Sequence, residues 1–176
     1  MKRVITGHDI SGKSIFTSIG APNRSVDLGA GSMNELWCTD GPPAVPDSSV
    51  DPEVTMDSFV PKVGGTRFRI FRLEPVDQNA SPPSPSEIES QLAALRASVP
   101  GLGETLEAEN PGMHTTDTVD YIVVLSGEAD LELDDGATVP LEPGDCVVQR
   151  GTRHAWRNTG SQPFVAAAVM VGAQRA

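Results

Sequence analysis

The sequence predicts an all-β domain, a barrel or jelly roll with an N-terminal β extension and one short helix. Three observations support this fold class. From residue 120 to residue 171, short strand-like runs follow one another with turn residues between them. The 15 Pro and 17 Gly among 176 residues favour many turns over long helices. Asp135-Gly136, between two strand-like runs, is a strong hairpin signal.

The N-terminal part of the chain supplies the first predicted strands. Residues 4–36 contain short β-like runs, such as 13–19, that are broken by turn sequences. Residues 40–61 are rich in Pro, Asp and Ser, which predicts a surface loop leading to a strand at 66–73. In that strand Arg alternates with apolar residues, a pattern typical of a half-buried strand.

One segment, residues 85–98, is predicted to be helical. Ser84 or Ser86 can cap its first turn, and Glu87 and Glu89 are favourable near its positive end. Pro100-Gly101 ends it. The helix precedes the C-terminal strands, so it is either a lid over the barrel mouth or a packing or dimer element.

The C-terminal half is predicted to be a close succession of strands at 121–125, 129–133, 138–141, 146–149 and 164–171. The last of these, an apolar run, serves either as a core strand or as a subunit interface. Cys146 is expected to pack within its strand, and both Cys38 and Cys146 are expected to be free thiols.

Composition excludes several classes of function. A formal charge of −11 opposes binding to nucleic acid, which requires a basic surface. No apolar run reaches the roughly 20 residues needed to cross a bilayer, and the polar N-terminus does not resemble a signal peptide. We therefore expect a cytoplasmic protein that binds neither nucleic acid nor a membrane. The chain has no Gly-rich phosphate loop, dinucleotide fingerprint, serine nucleophile elbow or CxxC pair.

Three residues have the chemistry and spacing of a metal site. His114 and Asp120 share parity, so in an extended segment they face the same side. His154 would reach them from the hairpin after Gly144. Two imidazoles and a carboxylate form the ligand type of Fe(II) oxygenases and of Zn, Mn or Ni sites. The alternative is a pair of buried, hydrogen-bonded histidines in a barrel without metal.

Further side chains near these motifs are candidates for contact with a substrate. Each has a structural alternative: a barrel-filling residue, a core aromatic, or an arginine paired with surface acids. The substrate-binding candidates are Thr116, Gln149, Arg150 and Trp156. Arg67, Arg69, Arg153 and Arg157 share the choice between clamping a carboxylate or enolate and pairing with surface acids.

Residues 112–127 and 143–158 resemble the two cupin motifs. In that superfamily the first motif runs His, any residue, His, three or four residues, Glu, six residues, Gly. The second ends in Gly, two residues, His, three residues, Asn. The spacings from Asp120 to Gly127, from Gly151 to His154 and from His154 to Asn158 all fit. Thr116 replaces the second His, Asp120 replaces the Glu, and Gln149-Arg150 replaces a usual proline.

The resemblance implies a single cupin domain over 1–176. Residues 1–75 would form the N-terminal extension and first barrel strands, 76–111 a Pro/Ser-rich segment with the helix, and 112–172 the motif core. It further implies a homodimer and a divalent transition metal (Fe, Mn, Ni or Zn) held by the catalytic residues His114, Asp120 and His154. The expected activity is that of a lyase or isomerase performing dehydration, decarboxylation or enolisation of an oxygen-rich metabolite. The alternatives are an Fe(II)-dependent dioxygenase and a non-catalytic small-molecule-binding or sensor cupin.

Overall fold

The computed structural model describes residues 1–45, 56–76, 81 and 83–176, which contain eleven strands and one α-helix. Residues 46–55 of the predicted loop and residues 77–80 and 82 of the Pro/Ser-rich segment lie outside the described residues. The strands are β1 Arg3–His8, β2 Ser14–Gly20, β3 Arg24–Asp27, β4 Gly31–Thr39, β5 Thr66–Leu73, β6 Thr118–Ser126, β7 Ala129–Glu132, β8 Thr138–Leu141, β9 Cys146–Arg150, β10 Ala155–Arg157 and β11 Phe164–Gly172. The helix α1 spans Pro85–Ser98.

Two antiparallel sheets form the domain. The larger has the strand order β3-β4-β5-β11-β6-β9, and the smaller has the order β10-β7-β8. The hairpin β1-β2 forms a separate two-stranded sheet. The predicted all-β jelly roll is therefore confirmed, and the five predicted C-terminal strands lie within three residues of their predicted bounds. The short strand β10 was not predicted.

The inner face of the large sheet is set by strict alternation along β6. Thr118, Asp120, Ile122 and Val124 are buried, whereas Tyr121 is exposed. This is the period of two that a pleated strand imposes on a sequence with one face inside. It places Asp120 inside, as its parity predicts.

Apolar packing fills one part of the space between the sheets. Phe164, Ala166, Ile122 and Val124 form a buried cluster, with partly buried aromatic rings packed against it. The Trp156 ring lies 5.6 Å from the Phe71 ring and 5.7 Å from the Phe164 ring, measured between centroids. Trp156 is therefore a half-buried residue that packs against the core, which favours the packing role over that of a pocket wall.

The helix α1 begins with a capping box. The Ser84 side chain accepts from the Glu87 backbone N–H, and the Glu87 side chain accepts from the Ser84 backbone N–H. Towards its end, Leu95 and the following Val99 pack against a second apolar cluster that contains Met33 and Phe59. The C-terminal end of the helix is thus a packing element, and its role as a lid stays a prediction. No described helix is long and apolar enough to span a membrane.

The strand β5 is half-buried as predicted, but two of its three arginines are the buried side chains. Arg67 is 1% exposed and Arg69 is 3% exposed, whereas Phe68 between them is 39% exposed. Arg67 tolerates burial because it donates to the backbone carbonyls of residues 39, 58 and 66 and pairs with Asp40 at 2.9 Å. The alternation of arginine with apolar residues predicts that β5 has two different faces. The partners of Arg67 on distant parts of the chain determine that the arginine face is the buried one.

The two cysteines do not form a disulfide, in agreement with the expectation of free thiols. Cys146, however, is exposed at the start of β9. The expectation that it packs within the barrel strand is wrong, because its parity on β9 matches the outward-facing Val148 rather than the buried Gln149.

Candidate active site

His114 and His154 lie side by side in the barrel wall. Each backbone N–H donates to the backbone carbonyl of the other residue at 3.0 Å. The two imidazole centroids are consequently 4.3 Å apart, with the rings tilted by 48°. The sequence prediction that the two motifs bring these histidines together is confirmed.

The hydrogen bonds of the rings define which nitrogens remain available. Nδ1 of His114 lies 3.0 Å from the Gly112 carbonyl oxygen, and Nδ1 of His154 lies 3.0 Å from the Thr152 carbonyl oxygen. A carbonyl oxygen only accepts, so each Nδ1 is the protonated, donating nitrogen. Each Nε2 therefore retains its lone pair, which can accept a proton or bind a metal.

Burial keeps both imidazoles neutral. It lowers the pKa of His114, and it lowers the pKa of His154 to about 4, with a smaller contribution from the adjacent His114. The cause is the cost of placing a charged ring where water is excluded. At neutral pH the site therefore presents two uncharged bases.

Asp120 belongs to a different set of contacts. It is 5% exposed, and its Oδ1 has no hydrogen-bond partner in the part of the chain that the structure describes. Burial raises the pKa of Asp120, while a hydrogen bond with Thr118 and the charge of Arg69 act in the opposite direction. The carboxyl group thus lies on the inner face of the large sheet, where the charge of Arg69 favours its ionised form.

The resemblance to cupins implies a transition metal here, and such a site requires about three protein ligands that converge on one point. Within residues 1–45, 56–76, 81 and 83–176, no three His, Cys, Asp or Glu side chains come close enough together to hold a metal ion. The histidine pair offers two ligands, but Asp120 does not join it. Asp120 is one methylene shorter than the Glu of the motif, and the Thr116 hydroxyl is bonded to Thr118 at 2.7 Å. The predicted three-ligand set therefore does not fit as a whole.

The predicted substrate-binding residues occupy different places. Thr116 and Gln149 are buried, and the Gln149 amide donates to the Thr152 hydroxyl in the loop that leads to His154. Arg150 is exposed on the outer face of β9, opposite to Gln149. Its assignment to substrate binding is not supported by this position. Trp156 lies edge-on to His154, with the ring centroids 6.2 Å apart.

Arg153 and Arg157 pair with acids, the structural alternative considered for them. Arg153 makes two 2.6 Å bonds to Glu107 and one of 2.9 Å to Asp134. Arg157 bonds to Glu132 at 2.6 Å and to the carbonyl of residue 111 at 2.6 Å. These pairs fasten the segment before His114 to the small sheet.

Sequence reasoning missed Glu35, which is fully buried on β4. Its Oε1 lies 2.8 Å from Nε of Arg69, directly across from it in the register. A β-bulge between Glu35 and Trp37 turns Trp37 to the other face of the strand. The one signal in the sequence was the shared parity of Glu35 with Met33.

The comparisons with known proteins identify the family. The sequence model of the cupin domain matches residues 104–171, which contain both histidines and Asp120. The phomopsin biosynthesis cluster protein C′ of Diaporthe leptostromiformis is 36% identical over 158 residues, spanning 89% of this chain and 69% of that protein. The chain belongs to the cupin superfamily. Another relative of this cupin, the cupin-domain-containing oxidoreductase fogC of Aspergillus ruber, is 28% identical over 89% of the chain and 63% of its own length.

A solved structure is also similar to this cupin. It is an uncharacterized conserved protein with a double-stranded β-helix domain from Klebsiella pneumoniae, with a TM-score of 0.47 and 14% identity. The similarity covers 85% of this chain and 84% of that chain.

Proposed function

We propose that this cupin is a small-molecule enzyme of the lyase or isomerase type in which the His114–His154 pair moves a proton. The observation that supports this proposal is the pair itself. The two neutral imidazoles have centroids 4.3 Å apart, His154 is buried and His114 half-buried, and each Nε2 is unprotonated. The names of the biosynthesis cluster relatives favour a substrate from a biosynthetic pathway.

The pair is suited to carry a single proton. One Nε2 accepts a proton from a carbon next to a substrate carbonyl, and the imidazole becomes a cation. The neighbouring ring then resists protonation, because the charge of His114 lowers the pKa of His154. Return of the proton to another carbon of the same molecule completes an isomerisation. Its return to a departing hydroxyl group releases water and completes a dehydration.

Deuterium exchange tests this function. The protein is incubated in D₂O with a panel of 3-hydroxy and 3-oxo carboxylic acids and their amides, and incorporation at the carbon next to the carbonyl is followed by NMR. We expect His114→Gln and His154→Gln each to reduce the exchange rate by about 10²-fold or more, as general bases do. Tyr121→Phe, on the outer face of β6, is the matched control. Unchanged exchange in both histidine variants would rule out the proposal.

A second candidate function is oxidation of a small molecule, favoured by the oxidoreductase names of two relatives of this cupin. His114 and His154 would then serve as two ligands of an iron ion. Oxygen consumption by protein reconstituted anaerobically with Fe(II) distinguishes this candidate. Turnover of the same substrate without oxygen excludes it.

A further inference from the structure

Gln149 is a buried amide that reaches the loop carrying His154. It is 3% exposed, and on β9 it lies directly opposite Asp120 of β6. The loop of residues 151–153 follows β9 and leads to His154. Its middle residue, Thr152, is exposed. Gln149 therefore connects the interior of the barrel with a loop at the surface.

The Gln149 amide holds Thr152 at two points. Its Nε2 donates to the Thr152 hydroxyl and, at 3.4 Å, to the Thr152 backbone carbonyl oxygen. A carbonyl oxygen only accepts, so the nitrogen end of the amide must face it. A buried amide also needs acceptors for its N–H groups, because leaving them unbonded costs free energy. The two bonds thus satisfy Gln149 and fix the orientation of the Thr152 carbonyl.

The Thr152 carbonyl is also the acceptor for the ring of His154. Nδ1 of His154 lies 3.0 Å from this oxygen. Among the described residues, no backbone N–H donates to the same carbonyl. An exposed loop has few packing contacts that would hold a carbonyl in one direction. The Gln149 amide is therefore the group that can hold it there.

The two histidines differ in this respect. Nδ1 of His114 donates to the carbonyl of Gly112, and no other side chain in the described part of the chain donates to that oxygen. Gln149 belongs to the Gln149-Arg150 pair that replaces a usual proline of the second motif. Proline has no side-chain donor, so the amide adds a hold on the His154 loop that a proline would not supply.

We propose that Gln149 is a positioning residue for His154. By holding the Thr152 carbonyl towards Nδ1, it keeps the ring proton on Nδ1 and leaves the lone pair of Nε2 free. The catalytic consequence rests on the proposed function, in which this Nε2 accepts a proton from the substrate. Gln149 then acts through Thr152 and His154, and this role differs from the substrate contact that the sequence predicted for it.

The tautomers of the histidine rings test this role without any turnover. In the ¹⁵N-labelled full chain at neutral pH, long-range ¹H–¹⁵N correlation spectra separate protonated from unprotonated ring nitrogens. We expect His114 and His154 of the wild type to be protonated on Nδ1. Gln149→Met keeps the length of the side chain and removes the amide. It should raise the ratio of Nε2-protonated to Nδ1-protonated His154 by at least about fivefold, the effect of one hydrogen bond. His114 should not change and is the internal control.

Thr152 supplies two further variants at an exposed position. Thr152→Val removes only the hydroxyl acceptor and should shift the His154 ratio in the same direction by about twofold. Thr152→Ser retains a hydroxyl and should behave as the wild type. If Gln149→Met does not fold, the comparison of these two variants decides. An unchanged His154 tautomer in the deciding variant overturns the proposal, and so does an equal change in both rings.

Deuterium exchange connects the tautomer with the reaction. The rate in Gln149→Met should fall in proportion to the lost fraction of Nδ1-protonated His154, because only this form has Nε2 free. An unchanged rate despite a changed tautomer overturns the catalytic consequence. If the wild type exchanges no substrate while the tautomers respond as expected, the proton-transfer function fails and the positioning role stands. The two failures are therefore distinguishable.

Discussion

His114 and His154 are held together by their backbones, through a reciprocal pair of 3.0 Å hydrogen bonds. The backbone therefore fixes how far apart the two Cα atoms lie, whatever the side chains pack against. An isolated bridge joins two chain segments, which are 40 residues apart in sequence, at the residues that carry the chemistry. Substitutions at these positions should change the chemistry and leave the strand pairing in place.

Stability should fall with acid because of His154. Its folded pKa of about 4 is below the ordinary value of 6.5, so between these values the unfolded chain binds more protons than the folded one. The free energy of unfolding consequently decreases as the pH drops through this window, by about 3 kcal/mol from this residue. Urea unfolding at several pH values measures this decrease in the free energy of unfolding.

The matched variant for this effect is His154→Gln. Between pH 7 and pH 4 it should lose about 3 kcal/mol less than the wild type, because the titrating group is absent. Exchange of the exposed His8 for Gln is the control. Parallel pH profiles for wild type and His154→Gln would contradict the prediction.

Metal affinity should depend on the histidines far more than on Asp120. Zn²⁺ or Ni²⁺ binding by calorimetry should weaken at least about tenfold in His114→Gln and in His154→Gln, because each removes one of two available imidazoles. Asp120→Asn should change the affinity less than about threefold, since its carboxyl group forms no three-ligand cluster with the two histidines among the described residues. A loss in Asp120→Asn as large as in the histidine variants would show that Asp120 is a ligand.

Trp156→Ala should destabilise the fold by about 3–5 kcal/mol, because its ring packs on Phe71 and Phe164. Thermal unfolding followed by circular dichroism measures the loss. Val139→Ala on β8, an exposed position, is the control and should change stability by less than about 0.5 kcal/mol. A small effect in Trp156→Ala would place the ring outside the core.

The expected homodimer would use the outer face of the large sheet. One row of this face runs from Phe68 through Val169 and Tyr121 to Val148, in direct register. Tyr121 and Val148 are 54% and 59% exposed, which makes the row a continuous apolar surface. In a dimer with twofold symmetry, this face of one copy would contact the same face of the second copy.

Light scattering after gel filtration measures the oligomeric state. Wild type should elute as a dimer, and the double variant Tyr121→Asp, Val148→Asp as a folded monomer, because the charges oppose burial. Glu142→Lys controls for the change in net charge. If the wild type is monomeric even at high concentration, the predicted homodimer is wrong.

The sequence predicted most of the fold because local signals agreed with the architecture. The alternation in β6, the capping box at Ser84 and the turn at Asp135, whose φ of 58° lies in the left-handed region, all act over a few residues. The histidine pair also followed from motif spacing. These features need no knowledge of distant partners.

Features that depend on distant partners were less predictable. Arg69 is buried because Glu35, on another strand, faces it, and neither residue signals this alone. Asp120 shares its parity with His114, but among the described residues the two histidines and this carboxyl group do not form a three-ligand cluster. Adjacent residues of a strand face opposite sides, so Gln149 and Arg150 could not both face the interior, and only the structure shows that Gln149 does.

The bridge between positions 114 and 154 also makes the barrel an adaptable scaffold. In a hydrogen-bonded antiparallel pair the Cα atoms lie about 5.5 Å apart, whichever side chains they bear. Any two residues introduced there will face each other at contact distance. A redesigned protein could exchange the imidazoles for thiols, for carboxyl groups or for one of each and obtain a new reactive couple, with the rest of the chain unaltered.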